Sequence, residues 1–375
     1  MLTKIFEESQ LEEEQLARRL RYRNPEVVGL LEVYLDIAKR HKFAHVAIAM
    51  CKYHEPGGTA DLGACDYAGD VALQLSGRET LQRLIGKLDA SIDNWMMPPR
   101  DETLDASHVC YNVATGPLGF DFIYWLVDAE MTRVREGAPA PLKVAFWCGK
   151  KEDTRPEPML WLNHVMRPAL AFVGAVEDSA ALPGWHKVFY VTRGIVDAAK
   201  AGEAVPMFKP PRVIPIKSGK PPVTITLREA EHWPERNSNM RAWLRFADKL
   251  AWRGERVIFV RDTARAYEPL DVFETYPAAS VDLGERLSLY EAAKANLFIS
   301  NGPGVLALFG SKPWLQFIPI GDEGQEFAAN TASFWRDKMG VEPPGQFPWS
   351  KPDQRIVWQE DSYENIVAAW DEFIG

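Results

Sequence analysis

Leu297-Phe298-Ile299-Ser300-Asn301-Gly302-Pro303-Gly304-Val305 is the stretch on which the fold turns. Three apolar residues, a polar pair and two glycines around a proline read as a buried strand that stops in a tight turn and opens into a short helix. A helical pattern over residues 285–295 leads into it, and an apolar run at 314–318 follows. The same alternation lies upstream. Residues 223–227 predict a strand, 240–251 a helix entered through Asn237-Ser238-Asn239, and 257–260 a second strand ending at Asp262. Helices alternating with short strands predict a parallel sheet with helices on its faces.

Further out, Pro206, Pro210, Pro211, Pro215, Pro221 and Pro222 fall among lysines, a composition that favours extended backbone and predicts a linker over residues 206–222. Before it, residues 106–205 repeat the pattern: an apolar run at 109–113, the turn Gly116-Pro117-Leu118-Gly119, a helix over 120–135 and a strand over 142–147. A helix over 160–176, interrupted at Pro168, and a strand over 187–191 complete this expectation. Residues 1–105 carry helical spacing at 11–20, 27–38 and 76–92 and end in Pro98-Pro99. The tail predicts a helix over 363–373 capped by Asp361 or Ser362. The expected architecture is therefore α/β: two Rossmann-like lobes with parallel sheets, at 106–205 and 223–375, preceded by a mainly helical N-terminal region of unknown role at 1–105.

Bulk properties narrow the function classes. The 375 residues are 46% apolar and 25% charged, with a net charge of -9 and pI near 5.4. An acidic chain of this kind lacks the basic face of a general nucleic-acid binder. Cys51, Cys65, Cys110 and Cys148 lie far apart without a C-x-x-C pair, which predicts free thiols in a reducing compartment. The charged start, with Glu7, Glu8, Glu12, Glu13 and Glu14, is unlike a secretory leader, and no apolar run has the length of a membrane span. A cytoplasmic protein with no membrane span is expected. The sequence has no H-E-x-x-H, G-x-S-x-G, P-loop or D-x-D metal motif, so the expected chemistry uses no metal and no cofactor.

In open parallel sheets ligands sit beyond the carboxyl ends of the strands, which nominates particular loops. Asn301, Gly302 and Gly304 form one: glycines permit close backbone approach and positive φ, and the following helix start offers free N–H groups to an anion such as a diphosphate. Arg228 ends the 223–227 strand, with Arg236 and Asn237 just downstream, where guanidiniums can make paired bonds to phosphate oxygens. An ordinary surface ion pair of Arg228 with Glu229 or Glu231 is the bland alternative. Asp262, Asp282 and Glu291 are candidates to accept from a ribose hydroxyl or a base N–H, and equally ordinary as caps or solvated helix surface. In the first lobe Asp121 begins a helix facing the expected cleft and is the candidate base for an acceptor; His108 and His164 are weaker ones. Thirteen tryptophans offer platforms for sugar rings but are foremost core filling.

Two such lobes with a proline-rich linker and a closing helix resemble the GT-B glycosyltransferases, whose nucleotide sits on the second lobe. Phe298-Ile299-Ser300-Asn301-Gly302-Pro303-Gly304-Val305-Leu306-Ala307 is similar to the nucleotide loop of bacterial heptosyltransferases, in which a G-P-x-H-L-A pattern follows an Asp-Thr pair. Here that pair is missing and Val305 stands in place of the histidine. Val223-Thr224-Ile225-Thr226-Leu227-Arg228 resembles the strand-to-arginine element of GDP-fucose transferases, and carries over a phosphate-binding role to Arg228 alone. The resemblance implies a metal-independent transferase whose partners are a nucleotide sugar and a saccharide or other hydroxyl acceptor, working by closure of the lobes. A sugar-nucleotide epimerase or hydrolase, or a noncatalytic nucleotide-sugar binding or assembly protein, are the alternative readings.

Overall fold

A computed structural model describes residues 104–113, 118–147, 156–178, 191–213, 220–231, 234–321 and 330–374. The expected helices of residues 1–103 and most of the strand expected at 187–191 lie outside these.

The first lobe is built from β1 (His108–Asn112), α1 (Asp121–Arg135), β2 (Lys143–Trp147), α2 (Pro156–Trp161), α3 (Arg167–Val173), β3 (Val176–Glu177) and α4 (Val191–Lys200). Its strands lie parallel in the order β1-β2-β3. The helix expected over 160–176 is three pieces. A π-helical turn, Leu162–Met166, separates α2 from α3, and Pro168 sits in the first turn of α3, where no intrahelical N–H is lost. Its end is Gly174 at φ 72, so the chain turns back into β3.

The second lobe holds β4 (Val223–Thr226), α5 (Met240–Trp252), β5 (Val257–Val260), β6 (Glu274–Thr275), α6 (Pro277–Val281), α7 (Leu283–Ala292), β7 (Ala295–Ile299), α8 (Val305–Leu308), β8 (Trp314–Phe317), α9 (Ala332–Phe334), β9 (Gln354–Val357) and α10 (Tyr363–Ile374). All six strands are parallel, in the order β6-β5-β4-β7-β8-β9. Numbered from β4, this is the doubly wound order 3-2-1-4-5-6, which reverses direction between β4 and β7. The four central strands are buried at every position, as a sheet covered on both faces requires. The capping run resolves to Asn239, whose side chain accepts from Ala242 N, and α10 begins with Ser362 Oγ accepting from Asn365 N at 3.2 Å. Asp361 instead ties the tail to the start of α5, its Oδ2 accepting from Trp243 Nε1 and from Asn239 N.

One apolar core runs through both lobes. Phe122, Trp125, Met166 and Phe172 of the first lobe join Leu287, Phe298, Phe309 and Trp314 of the second in a single buried cluster. The 206–222 segment carries no helix or strand where described and docks on both sides: Phe208 N donates to Phe309 O and Lys209 N to Phe172 O. Residues 335–341 cross back to the first lobe, where Gly340 packs on Val196 and Lys200 Nζ donates to Gly340 O. A shared apolar core of this kind favours a fixed arrangement of the two lobes over a loose hinge. Trp125, Trp243, Trp314 and Trp370 are fully buried, so these tryptophans serve as core filling rather than exposed sugar platforms.

Candidate active site

The reversal between β4 and β7 opens a crevice at the carboxyl ends of two adjacent strands, and the candidate loops leave from those two ends. Arg228 follows β4 by two residues; Asn301 follows β7 by two. Parallel pairing in register, Thr226 opposite Phe298, puts both exits side by side.

Arg228 is 8% exposed. Its backbone N donates to Ser238 Oγ at 2.9 Å, Ser238 N donates back to Arg228 O at 3.0 Å, and Nη1 donates to Asn237 Oδ1 at 2.5 Å. Asn237 also accepts from Ala230 N and donates to Ala230 O. With both ends of its amide engaged, Asn237 is the staple that aims Arg228. These bonds give it a part in shaping the loop, and one Nδ2 hydrogen lies beyond them.

Arg236 ends the 3-10 turn Pro234–Arg236 and leans toward the β7 exit, its Nη2 3.5 Å from Ser300 O. Burial pushes its pKa down, and the neighbouring Arg228 charge pushes it down further, with Glu235 opposing. Burial also lowers Arg228, against Asp262 and Glu235. Guanidiniums remain cationic throughout the working pH range, so the Arg236 shift records a like charge, Arg228, held nearby, while Arg228 is offset by two carboxylates.

The Asn301 loop supplies the facing wall. Asn301 Oδ1 accepts from Gly304 N at 2.8 Å, while its buried Nδ2 has no hydrogen-bond partner among the described residues. A buried donor of this kind calls for an acceptor. The glycines act differently from the expectation: neither Gly302 nor Gly304 has positive φ. What they supply is room. A β-carbon on Gly302 would stand 2.5 Å from the Phe120 ring, and one on Gly304 2.6 Å from the Phe298 ring. The expected helix start is a 3-10 turn, Gly302–Gly304, followed by only four α-helical residues, so the local dipole is small and the arginines dominate the field.

The remaining candidates separate. Asp262 lies at the β5 exit near Arg228, but Oδ1 accepts from Thr263 N and Oδ2 from Glu229 N, so it knits the loop. Asp282 is exposed and caps α7 by accepting from Glu285 N at 2.8 Å. Glu291 stands at the other end of α7, where its carboxylate accepts from Ser311 N and Ser311 Oγ beside the chain entering β8. That is the amino edge of the sheet, so geometry removes Glu291 from the site. Sequence spacing gives the face of a helix, but the end of the sheet follows from the connections around it.

From the first lobe, the Phe120 ring rests on Gly302, and the next residue, Asp121, is the exposed first residue of α1. Burial, helped by the Asp121 charge, raises the Tyr124 hydroxyl well above its ordinary value. His108 begins β1, at the opposite edge, with Nδ1 3.1 Å from Ser107 Oγ and Nε2 3.2 Å from Lys143 Nζ. His164 lies exposed in the π-helical turn. Only Asp121 of these three adjoins the Asn301 loop. Sequence reading missed Ser238, which fixes Arg228, and the buried Arg261–Glu229 pair beside it; a serine well downstream of a strand end carries no signal until the loop folds back. Among the described residues no cluster of three His, Cys, Asp or Glu forms a metal cage, and no helix is long and apolar enough to cross a membrane.

No protein-family model matches the chain, and no curated protein sequence does. It does resemble solved structures of glycosyltransferases. They include the iron-containing dodecameric glycosyltransferase TibC from enterotoxigenic E. coli (14% identity, 71% of this chain and 76% of that one, TM-score 0.40), which has also been solved with ADP-D-beta-D-heptose. E. coli ADP-heptose lps heptosyltransferase II matches at 9% identity over 71% of this chain and 98% of that one, with a TM-score of 0.41. A glycosyl transferase family 9 protein from Veillonella parvula matches at 9% identity over 75% and 99%, with a TM-score of 0.42. At such identities and scores these overlays assign no chemistry to the chain.

Proposed function

We propose that this protein is a glycosyltransferase that moves a sugar from a nucleotide-sugar donor to an acceptor hydroxyl, with guanidiniums rather than a metal ion supporting the departing diphosphate. The observation that carries the reading is the convergence, at the one reversal point of the second sheet, of Arg228, Arg236 and the buried Asn301 Nδ2. All three are donors, two are cations held near each other, and together they suit an anion with several acceptor oxygens.

In the reaction the acceptor oxygen bonds to the anomeric carbon as the bond from that carbon to the diphosphate oxygen breaks. The electron pair stays on the diphosphate, where Arg228 and Arg236 meet the charge as it develops. The acceptor proton passes to the Asp121 carboxylate, held beside the Asn301 loop by the Phe120 contact. Since the lobes share one core, the groups stand assembled before substrate arrives, as electrostatic catalysis favours.

The test is turnover of ADP-, GDP-, UDP- and CMP-linked sugars with a panel of acceptors, run with and without a chelator and compared with Arg228→Ala. Sugar transfer that persists with chelator and collapses in the variant supports the reading. Equal turnover by Arg228→Ala would refute the phosphate role, and product formed without acceptor would replace transfer by hydrolysis or epimerisation.

A further inference from the structure

Glu229 follows Arg228 directly in the chain and shares its buried layer, so a carboxylate is built in beside the proposed diphosphate site. Arg261, at the β5 exit, takes that carboxylate in a paired contact, Nη2 to Oε1 at 2.5 Å and Nε to Oε2 at 3.0 Å, with side chains 5% and 8% exposed. Arg261 is anchored in turn: its Nη1 donates to Glu268 O and Pro269 O at 3.1 and 3.3 Å. Backbone bonds of the same two loops reinforce the clamp, with Glu229 N donating to Asp262 Oδ2 and Asp262 N reaching Glu229 Oε2. The carboxylates that offset the burial of Arg228 are those of Asp262 and Glu235, both further along the chain than Glu229.

We infer that Arg261 is a positioning residue of the donor site, which sequesters the Glu229 carboxylate so that it does not compete with a diphosphate for Arg228. The inference rests on the proposed donor site. Its physical basis is that a buried carboxylate must be paired or protonated, and that without Arg261 the cation next along the chain is Arg228. Adjacent residues of opposite charge do close on each other in this chain: Arg336 and Asp337 pair at 2.9 Å. A fork that binds both carboxylate oxygens holds Glu229 in one orientation, which a point charge cannot do.

The experiment measures binding of nucleoside diphosphates by calorimetry, with melting temperature as a separate readout, on the full chain. The set is wild type, Arg228→Ala, Arg261→Met, Glu229→Gln, and the double variant Arg261→Met with Glu229→Gln. We expect Arg261→Met to bind the diphosphate about tenfold more weakly, and the double variant to return to within about twofold of wild type, although its melting temperature stays low. Glu229→Gln alone should melt earlier yet bind at least as tightly. Binding by Arg261→Met equal to wild type, or a double variant as weak as the single, overturns the inference, since a purely structural role predicts no rescue. Wild type that binds no diphosphate, or Arg228→Ala that binds normally, overturns the donor site itself. Where Arg261→Met does not fold, Arg261→Lys takes its place, with about threefold weakening expected and the same reversal by Glu229→Gln.

Discussion

The two ends of the second sheet use the same residue types to opposite effect. At the amino edge four cations that reach solvent meet a carboxylate: Arg256 pairs with Glu274, Lys294 with Glu255, and Lys249 and Arg253 with Asp371, whose carboxyl they hold below its usual range. At the carboxyl edge Arg228 is buried and Arg236 half-buried, and the two are held by Asn237 and Ser300; burial depresses both, and Arg228 depresses Arg236 further. Arginine count therefore says little about where an anion binds. Desolvation and the placing of nearby carboxylates matter as much, and on the proposed reading the Arg261–Glu229 pair is one such placing.

The contrast can be broken by mutation, most sharply at Arg228. Arg228→Ala should lower kcat/KM by about 10² to 10³-fold, the loss typical of removing one donor from a developing oxyanion, with donor kinetics as the check. Asp121→Asn should cost about 10²-fold in kcat while nucleoside diphosphate affinity, followed by calorimetry, stays within twofold; a parallel loss of affinity would place Asp121 in the donor site instead. Gly302→Ala forces the Phe120 ring aside, so turnover should fall about tenfold and recover in part when Phe120 is also made alanine. At the other end, Arg256→Ala should leave turnover unchanged and shift the unfolding free energy by less than about 1 kcal/mol, as a denaturant titration would show. A larger change at the amino edge than at the carboxyl edge would reverse the comparison.

Much of this was legible in the chain. Central strands announce themselves because burial on both faces favours apolar and β-branched residues: β5, β7 and β8 fall where apolar runs predict and β4 where the Val-Thr-Ile-Thr alternation does, with Thr224, Thr226, Asn296 and Gln316 as buried polar exceptions. The outer strands do not. β6 is two residues, Glu274–Thr275, and β9 is Gln-Arg-Ile-Val with alternate side chains half-exposed, so neither carries a run to detect, and with them the doubly wound order stayed hidden. Arg228 could be picked out as a candidate because it follows a predicted strand in a parallel sheet, yet Arg261 follows β5 in the same way and is taken up by Glu229, so position after a strand does not by itself assign a role. Glu291 was misplaced because helical spacing specifies which face a residue occupies and not which end of the sheet that face overlooks. The glycines were found for one reason and needed for another: the loop composition pointed to unusual backbone, while the fold required space for Phe120 and Phe298.

The apolar core shared by the lobes has a consequence for how such a chain changes over time. Phe208, Phe309, Tyr124 and Trp349 form a continuous aromatic contact from one lobe to the other. A substitution in either half is thus felt by both, and the lobes cannot be exchanged between relatives as independent modules without re-matching these rings. Even the strand exit at Asn301 to Gly304 is bound to this core, because any side chain at Gly302 or Gly304 would meet the Phe120 or Phe298 ring.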